Sequence, residues 1–310
     1  LHVQLAACTV GRFVTGTQND VMILDDNWFT ERCNESGSAF SLKLKKKLHE
    51  EQTPFQIIEV YQTESFGTLL VLDGYIMLTD RDNFIYHEMM THPALYTHPG
   101  PKRVVIIGGG DCGSLREVLK HPEVEQVWQV EIDERVTRVA ERFFPALCEL
   151  NHDPRAKLLF EDGIRWMAQA APASLDVVIV DSTDPIGPAQ GLFSEAFYCD
   201  CYQVLGEQGL LVQQSESPLF HLNLIRTMHA TLLSTGFTDV ASLHFPQCAY
   251  PSGWWSATLA AKDLVLDSFR EEDAQHKPFK TRYYNATIHR AARVVPQFFS
   301  EALSQLVQDT

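Results

Sequence analysis

Two short stretches of the chain hold the residues best suited to chemistry. GGGDCGS, residues 108–114, carries Gly108, Gly110 and Gly113 in the G-x-G-x-x-G spacing that brings backbone close to a ligand at the start of a helix. Asp111 stands inside it, where a pyrophosphate would meet a negative charge, so the loop suits a cationic ligand better than a phosphate. The plain alternative is that Asp111 caps the helix beginning near Gly113. The second stretch, DSTDPIGP at 181–188, sets Asp181 and Asp184 three apart at the end of an apolar run, then two prolines and a glycine that stop any helix. This reads as a shaped loop, able to close as a lid, with two acids for holding or deprotonating a cation.

The elements that position these stretches alternate. From about residue 84, NFIYHEMMTHPALYTHP reads as a helix and RVVIIGGG as a strand buried on both faces of a parallel sheet. SLREVLKH, ERVTRVAERFF, GIRWMAQA and EAFYCDCYQVL read as helices; QVWQVEID, KLLFED, LDVVIVDS and GLLVQQS are the strands between them. A further helix over 218–235 precedes DVASLHF and SATLAAK, two last strands expected to run antiparallel. Repeated βα units predict an α/β, Rossmann-like (methyltransferase-type) doubly wound sheet whose ligands lie beyond the carboxyl ends of the strands. An acid stands at or near each of those ends: Asp111; Glu131 and Asp133; Asp162; Asp181 and Asp184; Glu216 beside Gln213 and Gln214. Any one of them suits a helix cap, but their gathering at one rim points to cation recognition. Glu131, in the position expected to accept ribose hydroxyls, suits an adenosine ligand, NAD or an S-adenosyl compound alike. Asp162 and Gly163 could receive adenine, the glycine letting the base approach the backbone.

Three regions follow from the pattern: an N-terminal extension over 1–37 with little periodicity, a small antiparallel β-domain over 38–83, and the Rossmann-like catalytic domain over 84–310. In the second, apolar residues alternate with polar ones through AFSLKLKKKLHE, and Asp73-Gly74 between two apolar runs signals a hairpin. Lys43, Lys45, Lys46 and Lys47 read as the wet face of an edge strand.

With 40 acidic against 25 basic residues, a formal charge of −15, the chain is not built for nucleic acid or an anionic membrane. No run reaches the roughly eighteen apolar residues of a membrane span. Seven cysteines without paired C-x-x-C spacing read as reduced thiols in a cytoplasmic protein. Cys199 and Cys201 point apart on a helix, and no metal site is expected. LAAC, ending at Cys8, looks like a lipoprotein cleavage box but lacks a positive head.

NWFTE from Asn27, GTLLVLDGYIMLTDRDNFIYHEMMTHPAL, RVVIIGGGDCGSLREVLKHPEVEQVWQVEID, DVVIVDSTDPIGPAQGLF, YPSGWWSATLA and RYYNATIHRAARVVPQF are numerous, ordered and specific. On them the chain resembles the polyamine aminopropyltransferases, the spermidine synthases among them. The resemblance implies transfer of an aminopropyl group from decarboxylated S-adenosylmethionine to putrescine, giving spermidine and methylthioadenosine, in a homodimer or homotetramer. It implies Asp181 as proton acceptor with Tyr86 assisting. Around the co-substrate it implies Gln56, His87, Asp111, Glu131, Asp162, Gly163 and Pro188. Against the diamine it implies Tyr86, Asp181, Asp184, Gln214 and Tyr250, with His87 and Asp111 near bound polyamine. The family's usual GGGDGG or GGGDGA is GGGDCG here, tolerable if residue 112 opens a helix. The rival readings are a diamine N-methyltransferase using S-adenosylmethionine and a non-catalytic nucleoside- or polyamine-binding regulator. The choice among putrescine, cadaverine, agmatine and spermidine is not legible, since they differ by a methylene or a distal group.

Overall fold

The structure, a computed structural model, describes residues 24–34, 36–185 and 187–304, with Pro188 described by its backbone alone. Cys8 and most of the N-terminal extension lie outside the described residues. A five-stranded antiparallel sheet comes first: β1 (Trp28–Cys33), β2 (Ser38–Gln52), β3 (Ile57–Thr63), β4 (Thr68–Leu72) and β5 (Tyr75–Thr79), in that spatial order. The expected hairpin joins β4 to β5. Asp73 and Gly74 both have positive φ, +49° and +86°, the mirror-image turn that matches strand twist. The extension reading of 1–37 is corrected at its end, because Trp28–Cys33 is a strand paired antiparallel along the first half of β2. The alternation there is short and interrupted by charge, so β1 owes its strand state to its partner. The four lysines of β2 are exposed as expected, but β2 is not the edge strand the lysines suggested, since it lies between β1 and β3; Lys47 pairs with Glu59 across the sheet.

After helix α1 (Asn83–Thr97) come β6 (Arg103–Gly108), α2 (Gly113–Leu119), β7 (Gln126–Glu131), α3 (Glu134–Phe143), β8 (Ala156–Phe160), α4 (Gly163–Gln169) and β9 (Leu175–Asp181). A 3₁₀ turn over Gly187–Phe193 leads to α5 (Glu195–Val204), β10 (Leu205–Gln214), α6 (Leu222–Ser234), β11 (Asp239–Pro246), a second 3₁₀ turn Pro251–Gly253 and β12 (Trp254–Ala261). Three short helices close the chain: α7 (Glu271–Gln275), α8 (Ala286–Ala291) and α9 (Gln297–Ser304). The seven strands lie in the order β11-β12-β10-β9-β6-β7-β8; β6 to β10 are parallel, and β12 runs antiparallel to both neighbours. The chain winds outward from β6 to β8, then returns to lay β9 against the other side of β6. A crevice therefore opens between the ends of β6 and β9, where a doubly wound sheet takes its ligand. The 3₁₀ turn departs from the expectation that the prolines after Asp184 stop any helix. They interrupt an α-helix, but a short turn needs few internal N–H donors.

Residues 104–107 and 177–180 are fully buried, packed on both faces as their unbroken apolar runs require. Helix α1 is buried almost all round, and Glu88 in its middle accepts the backbone N–H groups of Arg282, Tyr283 and Tyr284 at 2.7–2.8 Å. This carboxylate ties the C-terminal segment to the helix that carries Tyr86. Glu88→Ala strands three donors and should lower unfolding free energy by about 3 kcal/mol, read from urea denaturation; a change below about 0.5 kcal/mol would sink this account.

Candidate active site

Asp181 ends β9 and pairs in register with Gly108 at the end of β6, at the crevice where strand order reverses. Gly108 has φ +82°, and a Cβ there would overlap the Asp181 carbonyl, so this close approach needs glycine. The Gly109 N–H donates to the same carbonyl at 2.7 Å. The buried carboxylate receives two hydroxyls, from Tyr86 of α1 on Oδ1 at 2.7 Å and from Ser114 of α2 on Oδ2 at 2.6 Å. Burial and the nearby Asp111 charge raise its pKa; His87, Ser114 and Tyr86 oppose without cancelling the rise. A carboxyl group held this way is a stronger base than an exposed aspartate. Burial and the Asp181 charge push the Tyr86 phenol well above its usual range, so Tyr86 remains a donor.

Asp111 faces two ways. Its Oδ1 accepts the Gly113 N–H at 2.6 Å and lies 3.2 Å from His87 Nε2, so the capping alternative is met, yet the residue also lines the cavity. Burial works against both charges of this pair. Each nonetheless stabilises the other: His87 holds the Asp111 pKa low and Asp111 raises that of His87. His87 sits buried behind Asp111 rather than on the cavity wall, in space that a Cβ on Gly113 would fill. Cys112 corrects one expectation. It precedes α2 as the capping residue with φ +67°, a left-handed conformation that suits glycine, and its buried thiol lies 3.6 Å from the Gly110 carbonyl oxygen.

The cavity between the two units has a volume of about 270 Å³. At one end stand Gln56, Glu131, Asp162 and Gly163; at the other, Tyr86, Asp181, Asp184 and Tyr250. Glu131 ends β7 and accepts the Asp133 N–H at 2.8 Å; burial carries its pKa to about 7, with the Asp133 and Asp181 charges adding to the rise. Gln56 reaches in from the β-domain and donates to Asp133 Oδ2 at 3.0 Å, an oxygen that also receives the Thr53 hydroxyl at 2.7 Å. Asp162 caps α4 through the Ile164 N–H at 2.8 Å. A Cβ on Gly163 would stand 2.5 Å from Ile107, so packing of α4 on β6 by itself requires this glycine, which also lines the cavity. The Pro188 side chain lies outside the described residues.

Gln214 lines a smaller adjoining cavity with Tyr86, Asp184, Tyr250 and Glu31. The Gln214 amide donates to Thr183 O at 3.4 Å and accepts the Glu216 N–H at 3.1 Å. Burial, then the nearby Glu216 charge, carry the Asp184 pKa to about 8, so Asp184 tends to keep its proton near neutrality. Burial likewise carries Glu31 to about 7, with Asp184 adding to the rise. Tyr250 spends its hydroxyl on the Met77 carbonyl and packs edge-on against Tyr86, with ring centres 5.9 Å apart. Among the described residues, neither cavity is lined by Lys or Arg.

Sequence reasoning missed Ser114 and Glu31. A serine on a helix carries no signal of what it will touch across the fold. Glu31 stood in the stretch taken for an extension, though NWFTE, already singled out, contains it. Cys199 is exposed and Cys201 buried, pointing apart as their spacing requires. Among the described residues, no helix is long and apolar enough to cross a membrane.

The fold has close counterparts. Residues 83–270 match the model of the spermine/spermidine synthase domain, and residues 27–80 that of the spermidine synthase tetramerisation domain. The polyamine aminopropyltransferase of Thioalkalivibrio sulfidiphilus is 65% identical over 283 residues, 91% of this chain and 99% of that protein. That of Methylococcus capsulatus is 64% identical over 281 residues, 91% and 98% of the two chains. A spermidine synthase solved in complex with the transition-state analogue AdoDATO superimposes with a TM-score of 0.87 at 31% identity, over 93% of this chain and 99% of its own. The spermidine synthase of Thermotoga maritima gives 0.86 at 30% identity, over 95% and 100%. With both segments matched and relatives this similar along nearly their whole length, the chain belongs to the spermine/spermidine synthase family of polyamine aminopropyltransferases.

Proposed function

We propose that the chain transfers the aminopropyl group of decarboxylated S-adenosylmethionine to putrescine, giving spermidine and methylthioadenosine. The observation that carries this reading is the charge of the crevice: acids at both ends and, among the described residues, no lining Lys or Arg. A sulfonium nucleoside whose tail has lost its carboxylate is a net cation, and a diamine is a second. The spermidine synthase solved with AdoDATO shares 93% of this chain's length, which supports the same co-substrate.

The nucleoside end belongs to Glu131, a ribose acceptor, with Gln56, Asp162, Gly163 and Pro188 around the rest; Asp111, paired with His87, meets the amino group of the tail. The diamine lies along Tyr86, Asp181 and Tyr250, its far ammonium toward Asp184 and Gln214. At neutral pH the difficulty is the nucleophile. By analogy with lysine, only about one amine in a few thousand is unprotonated at pH 7, a deficit of about 4–5 kcal/mol. Asp181 takes the proton, Tyr86 orients the amine, the new N–C bond forms in line with the breaking C–S bond, and the electron pair leaves on sulfur as a neutral thioether. Closure by the 182–193 segment would exclude water and strengthen each charge interaction. Assembly as a homodimer or homotetramer is supported by the match of residues 27–80 to a tetramerisation domain. A cytoplasmic site of action fits a biosynthetic enzyme with seven cysteines and no paired spacing.

Mass-spectrometric product analysis with putrescine, cadaverine, agmatine and spermidine in competition should show spermidine and methylthioadenosine as the main products; a methylated diamine from S-adenosylmethionine would refute the reading. Asp181→Asn should cut kcat by about a hundredfold or more, with nucleoside affinity by calorimetry within about threefold of the parent; equal losses in both would remove its role as proton acceptor. Between pH 6.5 and 8, Glu31 and Glu131 near 7 and Asp184 near 8 retain protons that the unfolded chain has released, so ligand-free stability falls as pH rises through this window. Buried His92, His229, His244 and His289, all lowered by burial, oppose this in part at the acid end of the window, where unfolded imidazoles still carry some protons, and cease to oppose it above that range. Thermal midpoints should therefore drop from pH 6.5 to 8 without ligand, and the gap opened by diamine plus nucleoside should widen; a gap that narrows toward pH 8 contradicts the scheme.

A further inference from the structure

Ser114 occupies the second position of α2 and is fully buried. A helical serine commonly returns its hydroxyl to the carbonyl four residues back. Here that carbonyl, of Gly110, is taken by the Thr137 hydroxyl at 2.9 Å, and Ser114 points instead at Asp181 Oδ2, 2.6 Å away. Tyr86 holds Oδ1 from the other helix at 2.7 Å. With one donor on each oxygen the carboxylate cannot rotate, and each oxygen keeps lone-pair capacity for the attacking amine.

We propose that Ser114 is a positioning residue of the transfer reaction, fixing the plane of the Asp181 carboxylate and keeping it ionised where the amine must be deprotonated. The proposal rests on Asp181 being the proton acceptor. Buried beside other acids, Asp181 tends to retain its own proton, and a protonated carboxyl cannot act as base. Facing it are Tyr86 and His87 from α1, Asp111 from the loop, Glu131 from β7 and Tyr250 from the turn before β12. Asp111 and Glu131 favour the protonated form. His87 opposes them, but its charge is engaged by Asp111. Ser114 acts on Oδ2 directly, and a donor to the ionised form lowers the pKa of the acid it serves.

The test is the pH dependence of kcat/KM for the diamine at saturating nucleoside, whose acid limb reports the essential base. In Ser114→Ala the limb should move upward by about one pH unit, while Ser114→Thr, which keeps the hydroxyl, should hold it at the parent position. Loss of packing alone would lower the whole profile and leave the limb in place. A limb in Ser114→Ala that coincides with the parent's overturns the proposal, and so does one in Ser114→Thr displaced as far as in Ser114→Ala. Asp181→Asn separates the two levels: a dead Asp181→Asn enzyme with an unmoved Ser114→Ala limb sinks the Ser114 role alone. An active Asp181→Asn enzyme sinks the proton-acceptor reading and this proposal with it.

Discussion

The constraint on which the rest of the structure depends is like-charge crowding in one crevice. Asp111, Glu131, Asp181, Asp184, Glu31 and Glu216 all face the space between the β-domain and the seven-stranded sheet or its immediate wall. Burying carboxylates without matching cations is unfavourable, and the protein lessens that cost locally instead of supplying arginines. Backbone N–H groups serve Glu131, hydroxyls serve Asp181, an imidazole serves Asp111, and Asp184 is shifted by burial toward its neutral form. Such partial neutralisation leaves a negative field in the crevice, the feature on which the proposed function rests.

Sheet order converts this chemistry into a place. Because β9 returns beside β6, the end of the apolar run VVIIG lies in register with the end of LDVVIVD, and Gly108 meets Asp181 directly. Helix α1, buried on nearly all sides, then delivers Tyr86 to the Asp181 carboxylate and His87 to Asp111 from consecutive positions. The β-domain contributes from the opposite wall: Gln56 through Asp133, and Glu31 through a strand that exists because β2 is there to pair with it. Neither unit alone encloses the cavity.

The loop GGGDCG shows how local rules and the site interact. Cys112 occupies a left-handed backbone position where glycine is the low-strain residue, and its thiol fills buried space beside the Gly110 carbonyl. Gly110 and Gly113 cannot be relaxed in the same way, since a Cβ would press on Glu131 in one case and fill the place of the His87 ring in the other. The glycine spacing thus reflects the space needed by two site side chains as much as the approach of a ligand.

The parallel sheet, its βα rhythm and its acid rim were legible in the sequence because unbroken apolar runs report burial on both faces, and strand ends in such a sheet have a known relation to ligands. Asp181 and Asp111 could be named before any coordinates, since they stand in motifs whose spacing carries chemistry, whereas Tyr86 was named through the family resemblance alone. What only the tertiary structure decided is which groups meet across long separations: Ser114 on Asp181, Glu31 near Asp184, Asp133 beneath Gln56. A side chain's hydrogen-bond partner is set by packing between elements, and neither the period of a helix nor the alternation of a strand encodes it. For the same reason the strand state of 28–33 arises only once β2 is there to pair with it, and the raised pKa of Asp184 only once β9 and β10 bring it beside Glu216.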